Sequence, residues 1–275
     1  MKGKLYLVAT PIGNLEDITL RAIRILGEVD LIAAEDTRQS RKLLHHLGIQ
    51  KPLTSYFQHN ERTKGRELIE LLLSGKNIAI ISDAGTPAIS DPGSDLVKAA
   101  IKEQIEIVPI PGPSAVVTII SVSGLDSERF VFEGFLPRGK TLRRQYLQEL
   151  AQEQRTMIFY EAPHRIKASL ADMEDIIGDR QIVVGRELTK HFEEILRGSI
   201  SCIRRHFDTT TPKGEFALVV AGCEKKAEPM LNDEQIKEQV AALMAEGKSR
   251  KQAAKEIAQR YKISANKVYD LTIEK

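Results

Sequence analysis

Residues 78–93 read IAIISDAGTPAISDPG, an apolar run that stops abruptly at a carboxylate and a loop of small residues. Ile78, Ala79, Ile80 and Ile81 show no polar alternation, which fits a strand covered on both faces and hence a central strand of a parallel sheet. In such sheets ligands collect beyond the C-terminal strand ends, and Asp83 stands at that end. Gly85, Thr86, Pro87 and Gly93 let backbone approach a bound molecule closely. The loop holds no GxxxxGK[ST] or GxGxxG pattern and no lysine or arginine. It therefore suits a ligand that brings donors, such as a ribose diol or an ammonium, better than a triphosphate. Asp91 is read as the cap of a helix that begins near Pro92; Asp83 is assigned to the ligand.

Strand runs at 4–9, 31–34, 78–81 and 105–110 alternate with helical stretches at 18–26, 37–47, 62–74 and 94–103. Asp17 is the expected cap of the first helix, and 54–61 (TSYFQHNE) reads as a loop. The alternation, taken as five strands, implies a parallel sheet with right-handed crossovers. Pro111, Gly112 and Pro113 stop the last strand and form a hinge, after which Ser114 can cap an apolar helix at 115–123. Further strands are expected at 130–135, 156–160, 181–186, 193–196 and 216–221, with helices at 141–150 and 164–177. The later strands follow one another without a long helix, which predicts a mixed second sheet. Glu224, Lys225, Lys226, Glu228 and Pro229 read as a charged linker. Helices starting near Asp233, Ser249 and Ser264 follow, and AAKEIAQRYKISANKVYDL resembles a helix-turn-helix, equally able to bind nucleic acid or to pack on a partner. The expected domains are 1–112, 113–223 and 230–275.

An apolar content of 42% and a charged content of 28% are ordinary for a soluble globular protein. A net charge of +2 permits an RNA partner without requiring one. Cys202 and Cys223 have no CxxC spacing, which argues against a zinc site or disulfide framework and makes the cytoplasm the default. Prolines interrupt the long uncharged run 107–125, so neither a membrane span nor a signal peptide is expected. No HExxH or Ser/His/Asp pattern points to a metal or a hydrolase.

Polar clusters follow most of the strands, and their convergence on one cleft between two sheets is the stronger functional signal. In 134–147 (GFLPRGKTLRRQYL), Arg138, Lys140, Arg143 and Arg144 surround a turn at a helix start, where cations are electrostatically disfavoured. Two readings stay open: a solvated helix face, or contacts to an RNA backbone. Tyr160, Glu161, His164 and Arg165 form another cluster after a strand.

At LVATPIGNLEDIT, AAEDTRQSRKLL, ISDAGTPAISDPG, PGPSA, YEAPHR, GRELTKHFEE and KGEF the chain closely resembles the tetrapyrrole methylase superfamily. Within it, the resemblance is to the bacterial ribosomal RNA small-subunit methyltransferase I family, which methylates a cytidine ribose 2′-hydroxyl, and it covers about residues 4–222. It implies an α/β fold of two domains, a parallel-sheet one and a mixed-sheet one, with a small C-terminal helical unit. It further implies a cytoplasmic homodimer acting on small-subunit ribosomal RNA within the 30S particle, with S-adenosylmethionine bound in bent form between the domains. The loops it assigns to the cofactor contain Pro11, Asp83, Gly85, Thr86, Ser114, Ala115, Tyr160, Glu161, Gly214 and Phe216. Arg38, Arg138, Lys140, Arg143, Arg144, His164 and Arg165 are expected at the RNA. A ribose hydroxyl is a poor nucleophile while protonated, so a base or a cation should sit beside it. Glu35, Asp36, His164, Lys213 and Glu215 are candidates, and an acid from Glu35 or Asp36 with Lys213 is the chosen set. A precorrin methylase of the same fold and a catalytically silent RNA-binding scaffold are the competing readings.

Overall fold

In the computed structural model, residues 1–224, 232–261 and 263–273 are described. The chain divides into two compact units, Met1–Cys223 and Glu224–Lys275.

The first unit begins as an alternation of short strands and helices: β1 (Lys4–Val8), α1 (Leu20–Glu28), β2 (Leu31–Ala34), α2 (Thr37–His46), β3 (Leu53–Ser55), α3 (Glu61–Leu73), β4 (Ile78–Ile81), α4 (Ser94–Lys102) and β5 (Glu106–Ile110). All pairings are parallel, in the order β3-β2-β4-β1-β5. The fifth strand is β3, three residues at the edge of what the sequence suggested was a loop. β4 is buried throughout. Its Ala79 and Ile81 join Val8, Ile32 and Ala34 under α1, while Ile78 and Ile80 join Leu5, Leu68, Leu72 and Leu96 under α3 and α4. Both faces being covered is what removes the polar alternation from the run. Thr19, not Asp17, caps α1: its hydroxyl accepts from the Ala22 amide at 3.1 Å, and Asp17 lies in a preceding 3-10 turn.

A helix of mostly apolar residues, α5 (Ala115–Ser123), leads to β6 (Phe130–Phe135), α6 (Lys140–Glu149), β7 (Thr156–Glu161), α7 (Ile166–Ile177), β8 (Gln181–Arg186), β9 (Glu194–Ser199), α8 (Ile200–Thr209) and β10 (Phe216–Val220). This sheet runs β6-β7-β10-β8-β9 and is mixed, as expected: β6 and β7 are parallel and the other pairs antiparallel. A helix does separate the last two strands. α8 was missed, although Ile200, Ile203 and Phe207 fall on one face and enter the core beneath α7. The opposite sheet face, through Ile158, Val183, Ala217 and Val219, packs on Val116, Ile119 and Ile120 of α5.

The second unit contains α9 (Asp233–Ala245), α10 (Arg250–Tyr261) and α11 (Ala265–Leu271) around a small core of Ile236, Val240, Ala253, Ala254, Ile257 and Val268. Asn232 and Gln235 form a reciprocal capping box at α9. Of the expected charged linker, residues 225–229 lie outside the described residues. Among the described residues no helix is long and apolar enough to cross a membrane.

Candidate active site

Parallel pairing puts the C-terminal ends of β1, β2, β4 and β5 on one edge of the first sheet, as the sequence implied. In the second sheet β10 runs antiparallel to its neighbours, so its start, Phe216, pairs with Glu161 at the end of β7 and Arg186 at the end of β8. Strand ends from both sheets therefore meet.

Between them lies a cavity of about 350 Å³. Gly85, Thr86, Ser114, Ala115, Tyr160, Glu161 and Phe216, all expected at the cofactor, line it. Pro11 and Asp83 instead line an adjoining cavity, and Gly214 lines neither. Gly214 acts on its neighbour: at φ +83° it has a conformation open to glycine, and an added Cβ would lie 2.5 Å from Glu187. That approach lets the Glu215 amide donate to Glu187 Oε1 at 2.9 Å, which fixes Glu215 on the cavity wall.

Asp91 is a residue whose role the sequence reading got wrong. The residue at the start of α4 is Gly93 at φ +134°, and its amide donates to Glu61 Oε1 at 3.0 Å. Asp91 is not a helix cap; it faces the cavity. Ala88 and Ser90 turn the loop there through φ +66° and +62°, conformations that cost non-glycine residues energy and concentrate at functional sites. Burial and the nearby charge of Glu35 push Asp91 up to about 6. Burial, then Asp91, raises Tyr160 to about 12. Ser114 precedes α5 without a side-chain cap bond, which leaves its hydroxyl for a ligand, while the Val116 amide of the first turn donates to the Tyr160 hydroxyl.

Glu35 and Asp36 follow β2 and meet the β4 loop. The Asp36 amide donates to Asp83 Oδ1 at 3.0 Å, while the Asp36 carboxylate accepts from the Arg38 amide at 2.7 Å and caps α2. Burial, then the Asp83 charge, raises Glu35; burial raises Asp83 against the opposing hydrogen bond from the Asp36 amide. Lys213 is exposed and lines neither cavity, so the expected partner of the acids is not brought to them. Among the described residues no cluster of three or more His, Cys, Asp or Glu is placed to hold a metal ion.

The basic turn divides. Arg138 and Lys140 are exposed, as are Arg38 and His164. Arg143 is not a free phosphate ligand: it is buried, with Nε and Nη2 at 2.8 and 2.6 Å from Asp172 Oδ2. Arg144 pairs with Asp172 Oδ1 at 3.0 Å and with Asp175. These ion pairs join α6 to α7 and account locally for cations that the sequence alone left unexplained. Arg165 is likewise structural, its Nη2 donating to the carbonyls of Leu136 and Pro137 and its Nε lying 3.3 Å from Glu161.

Residues 4–203 match the family of tetrapyrrole (corrin/porphyrin) methylases. The chain belongs to this family. Ribosomal RNA small subunit methyltransferase I of Synechocystis sp. is 48% identical over 273 residues, 99% of this chain and 98% of its own. The protein of the same name from Halalkalibacterium halodurans is 56% identical over 228 residues, 83% of this chain and 79% of its own. That of Thermotoga maritima is 49% identical over 222 residues, 81% of this chain and 100% of its own. Two solved structures share the fold: a cobalt precorrin-4 methyltransferase (TM-score 0.60, 16% identity, 79% of this chain and 94% of that one) and a diphthine synthase (0.62, 14%, 80% and 90%).

The methyl donor of such methyltransferases is S-adenosylmethionine. The residues present fit it. Among the described residues the lining of the 350 Å³ cavity has no lysine or arginine but carries the Asp91 carboxylate, which suits a sulfonium or an ammonium. Ile12, Leu188, Phe216 and Ala217 supply apolar wall for a purine.

Proposed function

We propose that this chain transfers a methyl group from S-adenosylmethionine to the ribose 2′-hydroxyl of a cytidine in small-subunit ribosomal RNA, with the donor in the cavity between the two sheets. The observation that carries this reading is the 48% identity over 99% of the chain to a relative named for small-subunit ribosomal RNA. The absence of basic side chains from the lining supports the placement of the donor.

When bound, S-adenosylmethionine supplies an electrophilic methyl on a sulfonium, passed in line to the oxygen as the C–S bonding pair returns to sulfur. Asp91 faces its positive charges. Ser114, at the start of α5, suits its carboxylate. The 2′-hydroxyl must lose its proton, and a carboxylate raised by burial is matched to that task. Asp36 is occupied as a cap, which leaves Glu35 and Asp83. Arg38, Arg138, Lys140 and His164 remain exposed for RNA. The reading includes a homodimer, the cytoplasm, and the assembled 30S particle as the place where substrate is met; these parts rest on the family resemblance.

The test is transfer from methyl-labelled donor to three acceptors: unmethylated small subunits, bare RNA and a precorrin. Label recovered as 2′-O-methylcytidine from small-subunit RNA is the expected result. Label on a base, or on the precorrin alone, overturns the reading.

A further inference from the structure

A second cavity, of about 420 Å³, adjoins the donor cavity and shares Ile12, Ala84 and Glu215 with it. Its chemistry differs: Lys42 and Lys190 face it together with Asp83, Glu215 and Gln39.

Lys190 is held in a built position there. Its Nζ lies 2.8 Å from Glu215 Oε2 and 3.0 Å from Glu187 Oε1. Its stem crosses Gly13, where an added Cβ would come within 2.3 Å of Lys190 Cγ. The Asn14 amide donates to Thr189 Oγ1 at 3.1 Å, pinning this second-sheet loop to the turn after β1. Glu187 and Thr189 reach that geometry at φ +49° and +66°. Strain in non-glycine residues persists where surrounding structure enforces it, and it clusters at functional sites. Two carboxylates around one ammonium also leave the trio net negative, so the arrangement is not simple charge neutralisation. Glu215, in the wall between the two cavities, brings the ammonium to the boundary.

We propose that Lys190 is the cation that stabilises the ribose oxygen as it loses its proton, and that the second cavity seats the target nucleoside. The proposal rests on the methyl-transfer reading above. The hydroxyl O–H bond breaks toward the Asp83 carboxylate, and the ammonium of Lys190 faces the charge left on oxygen until the new O–C bond forms; Asp83 then releases its proton to solvent. Lys190 thereby fills the role that the sequence gave to Lys213. Burial alone would lower the Lys190 pKa, but Glu215 and Glu187 hold it above its usual value, so it remains an ammonium.

The experiment compares wild type, Lys190→Met, Lys190→Gln and Lys190→Arg in steady-state methylation of unmethylated small subunits. Donor affinity by calorimetry and Tm are measured alongside. Lys190→Met should lower kcat by about 100- to 1,000-fold, the usual cost of losing one oxyanion contact. Donor Kd, KM for subunits and Tm should stay near wild type. Lys190→Gln keeps a donor for Glu215 without the charge and should show the same loss, even where the Met variant folds poorly; Lys190→Arg should recover at least tenfold. A kcat within threefold of wild type in Lys190→Gln overturns the proposal, as does a loss confined to KM or donor affinity, which would mark a loop-holding role. A wild-type enzyme that transfers nothing to small subunits overturns the functional reading, and this proposal with it. An active wild type whose Lys190 variants methylate subunits equally well overturns this proposal alone.

Discussion

Arg143 Nε donates to Asp172 Oδ2 across 2.8 Å, between side chains each only 6% exposed, and so fastens α6 to α7 in the second sheet's outer layer. Burial would raise Asp172, but Arg143 and Arg144 hold it below its usual value. Removing Arg143 leaves the buried Asp172 with Arg144 as its remaining cation, so Arg143→Ala should cost about 1.5–3 kcal/mol in denaturant unfolding. Replacing both by apolar residues of similar volume should cost much less. A loss below about 1 kcal/mol for Arg143→Ala would mean that the pair is solvated.

The RNA contribution of this turn then belongs to the exposed pair. Arg138→Ala with Lys140→Ala should flatten the dependence of log K on log salt for small-subunit binding by ~1.4, two contacts at the single-strand factor. Donor affinity should not change. An unaltered slope would assign both residues to solvated helix surface.

Much of the first sheet was legible because its two-sided burial is written in apolar runs, β4 above all. Less regular features were hidden for identifiable reasons. Asp91 has the composition of a cap, and nothing in the sequence announces the positive φ of Ala88 and Ser90 that turns it into the cavity. Arg143 finds its partner 29 residues away, a contact that only the packing of α6 on α7 creates. Lys213 was the strand-end lysine chosen from the sequence, and nothing there announces the strained loop at Glu187 and Thr189 that holds Lys190 instead. α8 was written at helical spacing and was missed because adjacent strand signals dominated.

Binding of the cationic donor should depend on pH through Asp91. Its pKa of about 6 means that below pH 6 the carboxyl must lose a proton before it can face a positive charge, so affinity should fall as pH drops. Asp91→Asn should weaken binding at pH 7.5 and flatten this dependence. The stability effect has the opposite sense. A folded pKa above the ordinary 3.8 means that Asp91 favours the fold at low pH and loses that contribution as pH rises from about 4 to 6. Asp91→Asn should therefore raise Tm above pH 6 and leave it unchanged at pH 3.5. Thermal unfolding across that range checks the sign.

Glu224–Lys275 is a separate compact unit with its own core. The Thermotoga maritima relative is matched over its whole length by 81% of this chain. Deleting the unit should leave donor affinity intact and weaken small-subunit binding. Lost donor binding in the truncated chain would place part of the donor site beyond Cys223.

The central claim is that a cavity free of lysine and arginine between two sheets holds a cationic methyl donor, and titration of S-adenosylmethionine into Asp91→Lys tests it most directly. Wild type should bind one donor per chain. The variant, which puts an ammonium into that lining, should bind at least about tenfold more weakly, a difference of 1.4 kcal/mol, with Tm retained. Equal affinity in the two proteins would contradict the account.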